Sequence, residues 1–202
     1  TLARRLRQFD RFLPIARNSP PQRRQPLPSA AYRAETSAPA SLAAQPDLDR
    51  ELARLNRDEI PQNTALLGIC DDGLPFLLDF SNPAPGALLL TGDPVSGKTA
   101  LLHALLTSLA YLNTPRQAVF NLIAVQPDEY SNLESQPHCR HSHPVEHPEA
   151  PSLIEELKGI VEDRKRTGPQ DPAILLVIDD LASMLSFLDE PAYNGLYWLI
   201  RH

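Results

Sequence analysis

The chain contains little cysteine and no long hydrophobic run. Cys70 and Cys139 are the only cysteines in 202 residues, which argues against a disulfide framework and indicates a reducing compartment. No apolar run approaches the roughly 20 residues that span a membrane, and no signal peptide is evident. We therefore expect a cytoplasmic protein. The chain begins with Thr1 rather than Met, as in a fragment or processed chain, and a segment upstream would be able to tether it to the inner face of a membrane.

Charge and proline divide the chain into two parts. The formal net charge is −6, but residues 1–45 hold eight arginines against two acidic residues, so this part carries +6 and the remainder carries −12. Seven prolines also fall within residues 1–46. Such a segment buries too little apolar surface to offset its ordering entropy. We predict a disordered, basic, proline-rich tail or linker over 1–46 and a folded domain over 47–202.

A short amphipathic helix over residues 2–13 is the structured alternative within this tail. Its leucines and a phenylalanine fall on one face and its arginines elsewhere. A helix of this kind would contact nucleic acid, an acidic membrane surface or a partner protein. A solvated tail is the simpler interpretation.

Residues 92–99 match the G-x-x-x-x-G-K-T pattern of phosphate-binding loops. In such a loop the backbone N–H groups wrap around phosphates, and glycine leaves room for a close approach. Lys98 places a cation at the β- and γ-phosphates, and the hydroxyl of Thr99 is suited to Mg²⁺. The predicted nucleotide-binding residues are Gly92, Asp93, Pro94, Val95, Ser96, Gly97, Lys98 and Thr99.

The flanks of this loop have the patterns that the motif requires. The apolar run at 86–91 predicts a buried parallel strand. Leucines at helical spacing predict a helix over 99–112. Strand, loop and helix together predict a nucleotide triphosphate site at the end of the strand.

The rest of residues 47–202 alternates apolar runs with helical patterns. The predicted helices cover 47–59, 152–167 and 192–202, the second opened by a capping box from Ser152 to Glu155. The predicted strands cover 118–125 and 174–178, with a long polar loop over 126–151. A β-hairpin over 65–80 turns at Asp72-Gly73 and is expected at the edge of the main sheet. The alternation predicts an α/β fold with a parallel sheet flanked by helices.

Two acidic residues follow the strand predicted at 174–178. A buried parallel strand delivers Asp179 beside the phosphate loop, where it would hold Mg²⁺ together with Thr99. Asp180 would then orient the water that attacks the γ-phosphate, so Lys98 and Asp180 are the predicted catalytic residues. The plainer alternative is a strand-to-helix turn in which one aspartate caps the helix.

From about residue 66 onward, an ordered series of short motifs resembles the FtsK/SpoIIIE group of motor ATPases. The motifs are Leu67-Gly68-Ile69, Asp72-Gly73, Leu78-Asp79, the loop and helix from Gly92 to Leu106, Pro137-His138, Pro144-Val145, Glu162-Asp163-Arg164 and Ile178-Asp179-Asp180-Leu181. The resemblance implies a P-loop NTPase (RecA-like) fold with a hairpin before the loop strand, ATP and Mg²⁺ as cofactors, a homo-oligomeric ring such as a hexamer, and double-stranded DNA as the translocated partner. Type VII secretion ATPases share the resemblance and move protein cargo. The acidic body, which is unsuited to gripping phosphates, favours that alternative slightly.

The departures from the family pattern suggest a weaker enzyme. Asp180 stands where members usually have Glu, Val95 where many have Gly, and Gln126-Pro127-Asp128 where they have Asp-Pro-Lys. The shorter carboxylate of Asp180 lies further from the water, so hydrolysis is expected to be slow. The family also continues beyond the position of His202, so we expect an incomplete motor with weak turnover. A degenerate domain that binds nucleotide as a switch is the third hypothesis.

Five residues that can bind metals crowd one short segment. They are His138, Cys139, His141, His143 and His147. Their spacing matches no recognised pair-loop-pair pattern for Zn²⁺. We interpret the segment as a polar loop, with a metal site as the alternative. The family resemblance implies that His138 is a packing residue of this loop.

Overall fold

The computed structural model describes residues 47–81, 86–93, 95–168 and 170–201. The helices are α1 (Leu48–Arg54), α2 (Lys98–Leu112), α3 (Ser131–Glu134), α4 (Glu149–Thr167), α5 (Leu181–Phe187) and α6 (Glu190–Arg201), with 3₁₀ turns at Arg57–Glu59 and Pro127–Tyr130. The strands are β1 (Thr64–Ile69), β2 (Pro75–Asp79), β3 (Ala118–Ala124), β4 (Cys139–Pro144) and β5 (Ala173–Ile178). None of the described helices is long and apolar enough to cross a bilayer. The predicted tail over 1–46, including the helix over 2–13, lies outside the described residues, as do Pro94 and His202.

A parallel sheet of three strands, in the order β4-β3-β5, forms the centre of the described fold. Every residue of β3 is buried, because β3 has a strand on each side and a helical layer on each face. Phe120 and Leu122 pack towards α2, whereas Ile123 packs towards α4, α5 and α6. The predicted α/β fold with a parallel sheet between helices is confirmed.

The predicted hairpin forms, but it lies in a different place from the one expected. Strands β1 and β2 pair antiparallel as a separate sheet, with Gly73 at a φ of 84° in the turn. The N–H of Leu66 donates to Oγ of Ser108 at 2.9 Å, and Nδ2 of Asn113 donates to the carbonyl of Thr64 at 2.8 Å. Because Ser108 of α2 and Asn113 at the C-terminal cap of that helix bond to β1, the hairpin packs on α2 and not on the edge of the main sheet.

The strand predicted before the phosphate loop is not formed. Residues 86–91 have no strand assignment, and Leu88 and Leu89 are 53% and 45% exposed. A leucine run favours burial, but a strand also needs a hydrogen-bonding neighbour, and among the described residues this segment has none. The prediction of a buried strand there is wrong.

The prediction of a polar loop over 126–151 is also wrong. This segment contains a 3₁₀ turn, α3 and the edge strand β4. Histidine and arginine are poor indicators of a strand, and β4 is stabilised by its pairing with β3. Helix α4 begins at Glu149, before the predicted capping box, because Pro151 is tolerated in a first helical turn. Helix α5 was not predicted, and α6 begins at Glu190 rather than at 192.

Candidate nucleotide-binding site

Two glycines give the phosphate loop its shape. Gly97 is the N-cap of α2 and has a φ of 89°, a conformation that favours glycine. A side chain at position 92 would collide with the hydroxyl of Ser96. The loop therefore leads directly into the N-terminus of α2, whose first N–H groups have no partner inside the helix and are suited to binding an anion.

Lys98 folds back over the loop. Its Nζ donates to the carbonyl oxygens of Gly92 at 3.0 Å and Asp93 at 2.8 Å. An open cavity of about 380 Å³ lies beside it. The ammonium group therefore lies beside this cavity, and its contact with phosphate stays a prediction. The cavity is lined by Leu89, Leu90, Thr91, Gly92, Ser96, Gly97, Lys98 and Leu101.

Val95 has an unfavourable backbone conformation at the tip of this loop. Its φ is 64°, although a β-branched side chain strongly disfavours positive φ. The side chain is fully exposed, so packing does not compensate. Such a residue stores on the order of 1–3 kcal/mol of strain, and strain of this kind concentrates at ligand sites.

Asp179 is held at the C-terminal end of β5 by two contacts. Its N–H donates to the carbonyl of Ile123 at 2.9 Å, which extends the ladder between β5 and β3. Its Oδ2 accepts a hydrogen bond of 2.9 Å from the hydroxyl of Tyr130. Both the backbone and the carboxylate of Asp179 are thereby fixed on the edge of the sheet that parallel strands use for ligands.

Tyr130 is the residue that sequence reasoning missed. It is fully buried, and its ring stacks on His103 of α2 with centroids 4.7 Å apart. Burial, reinforced by Asp179, raises the pKa of Tyr130 well above its usual value, so the phenol remains a hydrogen-bond donor. The Thr99 side chain lies near the same hydroxyl and lowers its pKa slightly. Tyr130 therefore brings together Thr99 and Asp179, the two residues predicted to hold Mg²⁺. The available sequence signal was an aromatic residue with a polar tip just after the end of β3.

Asp180 caps the helix that follows. It adopts a φ of 66°, which aspartate tolerates, and its Oδ1 accepts from the N–H of Ser183 at 3.0 Å. Its Oδ2 accepts from the Ser183 hydroxyl at 2.7 Å. The Ser183 N–H, followed by this hydroxyl, lowers the pKa of Asp180. The helix-cap alternative is thus observed, and the role of Asp180 in hydrolysis stays a prediction.

The structure separates the histidines of the segment 138–147, which contains five residues that can bind metals. Nε2 of His138 lies 3.0 Å from the carbonyl oxygen of Asn113 in a buried position, so this histidine packs inward as expected. His143 and His147 instead lie together near Glu149, at the other end of β4.

Comparison with solved structures gives the same fold. The structure of Thermomonospora curvata EccC (ATPases 2 and 3) in complex with a signal sequence peptide matches with a TM-score of 0.57 and 22% identity, over 74% of this chain and 28% of that one. The cytoplasmic domain of the Type VII secretion ATPase EccC from the same organism matches with a TM-score of 0.53 and 21% identity, over 78% of this chain and 23% of that one. The chain thus spans about a quarter of each EccC chain.

Sequence comparison points to one family. No curated protein matches the chain. A family model described as the FtsK/SpoIIIE family matches residues 48–184, a stretch that includes the phosphate loop, Tyr130 and the end of β5. The chain therefore belongs to the FtsK/SpoIIIE family, and its fold is that of a P-loop ATPase domain.

Proposed function

We propose that this domain binds Mg-ATP between α2 and the C-terminal end of β5 and hydrolyses it to move a polymer. The observation that carries the proposal is the hydrogen bond from the Tyr130 hydroxyl, which lies near Thr99, to Asp179 at 2.9 Å. A phosphate-binding loop and an acidic strand end are useful together only if the structure brings them to one point. Tyr130 supports such a meeting, because it bonds to the acidic residue and lies near the residue that follows Lys98.

Lys98, Thr99 and Asp179 have distinct roles in this proposal. The phosphate oxygens of ATP replace the two loop carbonyls as acceptors for Nζ of Lys98. Thr99 and Asp179 offer oxygen ligands, which Mg²⁺ prefers. Mg²⁺ would neutralise charge on the β- and γ-phosphates, while Tyr130 fixes the orientation of the Asp179 carboxylate.

Asp180 orients the attacking water in the proposed reaction. To do so, its carboxylate must first break its hydrogen bonds with Ser183. Both of its carboxylate oxygens accept hydrogen bonds from that residue, and the aspartate side chain is one methylene shorter than a glutamate side chain. Turnover should therefore be slow. A domain that binds nucleotide as a switch without useful turnover is the alternative supported by the same contacts.

A polypeptide is the cargo that we favour. One similar EccC structure contains a signal sequence peptide, and residues beyond the basic tail carry −12, which repels phosphate backbones. Double-stranded DNA is the second candidate, motivated by the FtsK/SpoIIIE resemblance and by the +6 balance of residues 1–45. In either case we propose that the domain acts in a homo-oligomeric ring on the cytoplasmic side of a membrane.

ATP turnover by the 202-residue chain tests this proposal, with Lys98→Ala as the blank. Slow turnover above the blank that rises with an added signal-type peptide would support polypeptide cargo. A rise with long double-stranded DNA that fades as salt increases would support DNA instead. Mg-ATP binding without turnover would support the switch, and the absence of Lys98-dependent binding would contradict the nucleotide site itself.

Two substitutions at position 180 separate catalysis from capping. Asparagine caps helices as well as aspartate does and tolerates positive φ, so Asp180→Asn should keep the cap and lose only the part of its stabilisation that depends on charge, while removing the carboxylate. Loss of turnover in Asp180→Asn would support the role in orienting water. Asp180→Glu should gain turnover if the site is degenerate and lose it if the site is adapted to aspartate.

A further inference from the structure

Two histidines and a glutamate converge where β4 ends and α4 begins. His143 lies near the end of β4, His147 lies in the turn that follows, and Glu149 is the first residue of α4. Oε2 of Glu149 is 3.6 Å from Nδ1 of His143 and 3.8 Å from Nδ1 of His147. One potential ligand atom from each residue lies within 4.8 Å of the other two.

These separations are close to those that a bound metal ion imposes. A tetrahedral ion with bonds of about 2.0–2.1 Å holds its ligand atoms about 3.4 Å apart. Both carboxylate-to-imidazole separations exceed this value by only a few tenths of an ångström. The two imidazole rings are nearly parallel, with an interplanar angle of 7° and centroids 5.4 Å apart, so the rings must rotate to direct one nitrogen each at the same ion.

The three side chains differ in their exposure. The His143 side chain is only 15% exposed, whereas those of His147 and Glu149 are open to solvent. The N–H of Glu149 donates to Nδ1 of His147 at 3.3 Å, so an ion bound by that nitrogen would replace this long hydrogen bond.

We propose that His143, His147 and Glu149 form a metal site that takes Zn²⁺. Two imidazoles and one carboxylate suit this ion, whereas Ca²⁺ and Mg²⁺ prefer oxygen ligands alone. The side chains of His147 and Glu149 are 44% and 65% exposed, so water completes the fourth position. The ion ties the end of β4 to the beginning of α4. It does not depend on the nucleotide site.

Calorimetric titration of the chain with ZnCl₂ tests the proposal. The 202-residue protein carries no polyhistidine tag, is treated with a chelator and dialysed, and contains Cys70→Ser because that thiol is exposed. Burial raises the pKa of Cys139 to about 11, so this thiol competes weakly at neutral pH. We expect one Zn²⁺ per chain and, at 100-fold excess over Kd, a rise in Tm of about 5–10 °C. Co²⁺ should give the absorption of a tetrahedral complex.

Variants with a matched control identify the ligands. His147→Ala and Glu149→Gln should each weaken Zn²⁺ binding by about 10-fold or more. Both side chains are solvent-exposed, so the metal-free Tm should stay that of the parent. Glu146→Gln removes an exposed carboxylate from the turn between β4 and α4 and should leave the affinity unchanged. Absence of saturable binding, or binding that survives both His147→Ala and Glu149→Gln, would overturn the site.

Discussion

Neighbouring strands β3 and β5 run parallel but have very different surroundings. Every residue of β3 is buried, whereas every residue of β5 is partly exposed. Within the described ranges β3 pairs on both edges, while β5 pairs with β3 alone. The strand that carries Asp179 is therefore the less secured of the two, and the exposed segment 86–91 lies before the phosphate loop. Stability is concentrated at β3, and the chemistry lies beside the more open part of the fold, as is common for ligand sites.

Matched leucine truncations on the two strands test this contrast and should give the largest effect. Leu122 of β3 and Leu175 of β5 both pack towards α2, but only Leu122 is fully buried. Leu122→Ala should lower the free energy of unfolding by about 2–5 kcal/mol, and Leu175→Ala by roughly half as much, because less apolar surface is lost. Urea denaturation measures both. Equal losses would show that the two strands are equally important for stability.

Removing the Tyr130 hydroxyl should release the carboxylate of Asp179 at the end of β5. Tyr130→Phe keeps the buried ring but deprives Asp179 of its donor. We expect Mg-ATP affinity to fall by about 10-fold and stability by about 1 kcal/mol. Tyr111→Phe, a change on the more exposed side of α2, is the matched control. Unchanged Mg-dependent binding of a fluorescent ATP analogue in Tyr130→Phe would refute the positioning role.

The cap at Asp180 should make the stability of the β5 end depend on pH. Its folded-state pKa is depressed by Ser183, so its contribution is present above the unfolded-state pKa and is lost as pH falls through the folded-state pKa. Asp180→Ala should cost about 0.5–2 kcal/mol at pH 7. This difference from the parent should shrink below about pH 4, where the unfolded carboxyl takes up its proton. Thermal melts across pH measure it, and a difference that grows on acidification would contradict the account.

Val95→Gly should give the smallest effect. Glycine removes the strain at positive φ, but it also gives the unfolded chain more freedom, so the net change in stability should stay within about 1 kcal/mol. Because glycine adopts this backbone conformation without strain, the loop should hold it more readily, and nucleotide affinity should rise a few-fold. Equilibrium binding of the ATP analogue is the readout. Weaker binding would indicate that Val95 supports the loop.

Sequence reasoning was most accurate where local pattern and tertiary contacts agree. Leucine spacing predicts α2, Asp72-Gly73 predicts the hairpin turn, and continuous apolar residues predict β3, because each signal is local. The leucines at 88–90 led to a wrong prediction of a strand, because a strand depends on a neighbouring strand that the local pattern does not specify. Strand β4 was predicted as a loop because of its histidines. These polar residues are compatible with its position at the edge of the sheet.

The predicted site residues come from one motif and one strand end. Tyr130 could not be assigned its contact with Asp179 from the sequence, because the two residues are 49 positions apart and meet only through the fold. Long-range contacts of this kind are set by packing and not by local propensity.

Hydrogen exchange with and without Mg-ATP tests the central claim most directly, because it reports where the nucleotide binds. The account predicts slower amide exchange at residues 95–101 and at the end of β5 when Mg-ATP is added, and no such change in Lys98→Ala. Exchange in β3, which is already buried, should stay the same. Protection confined to other regions, or protection that persists in Lys98→Ala, would contradict a nucleotide site between α2 and β5.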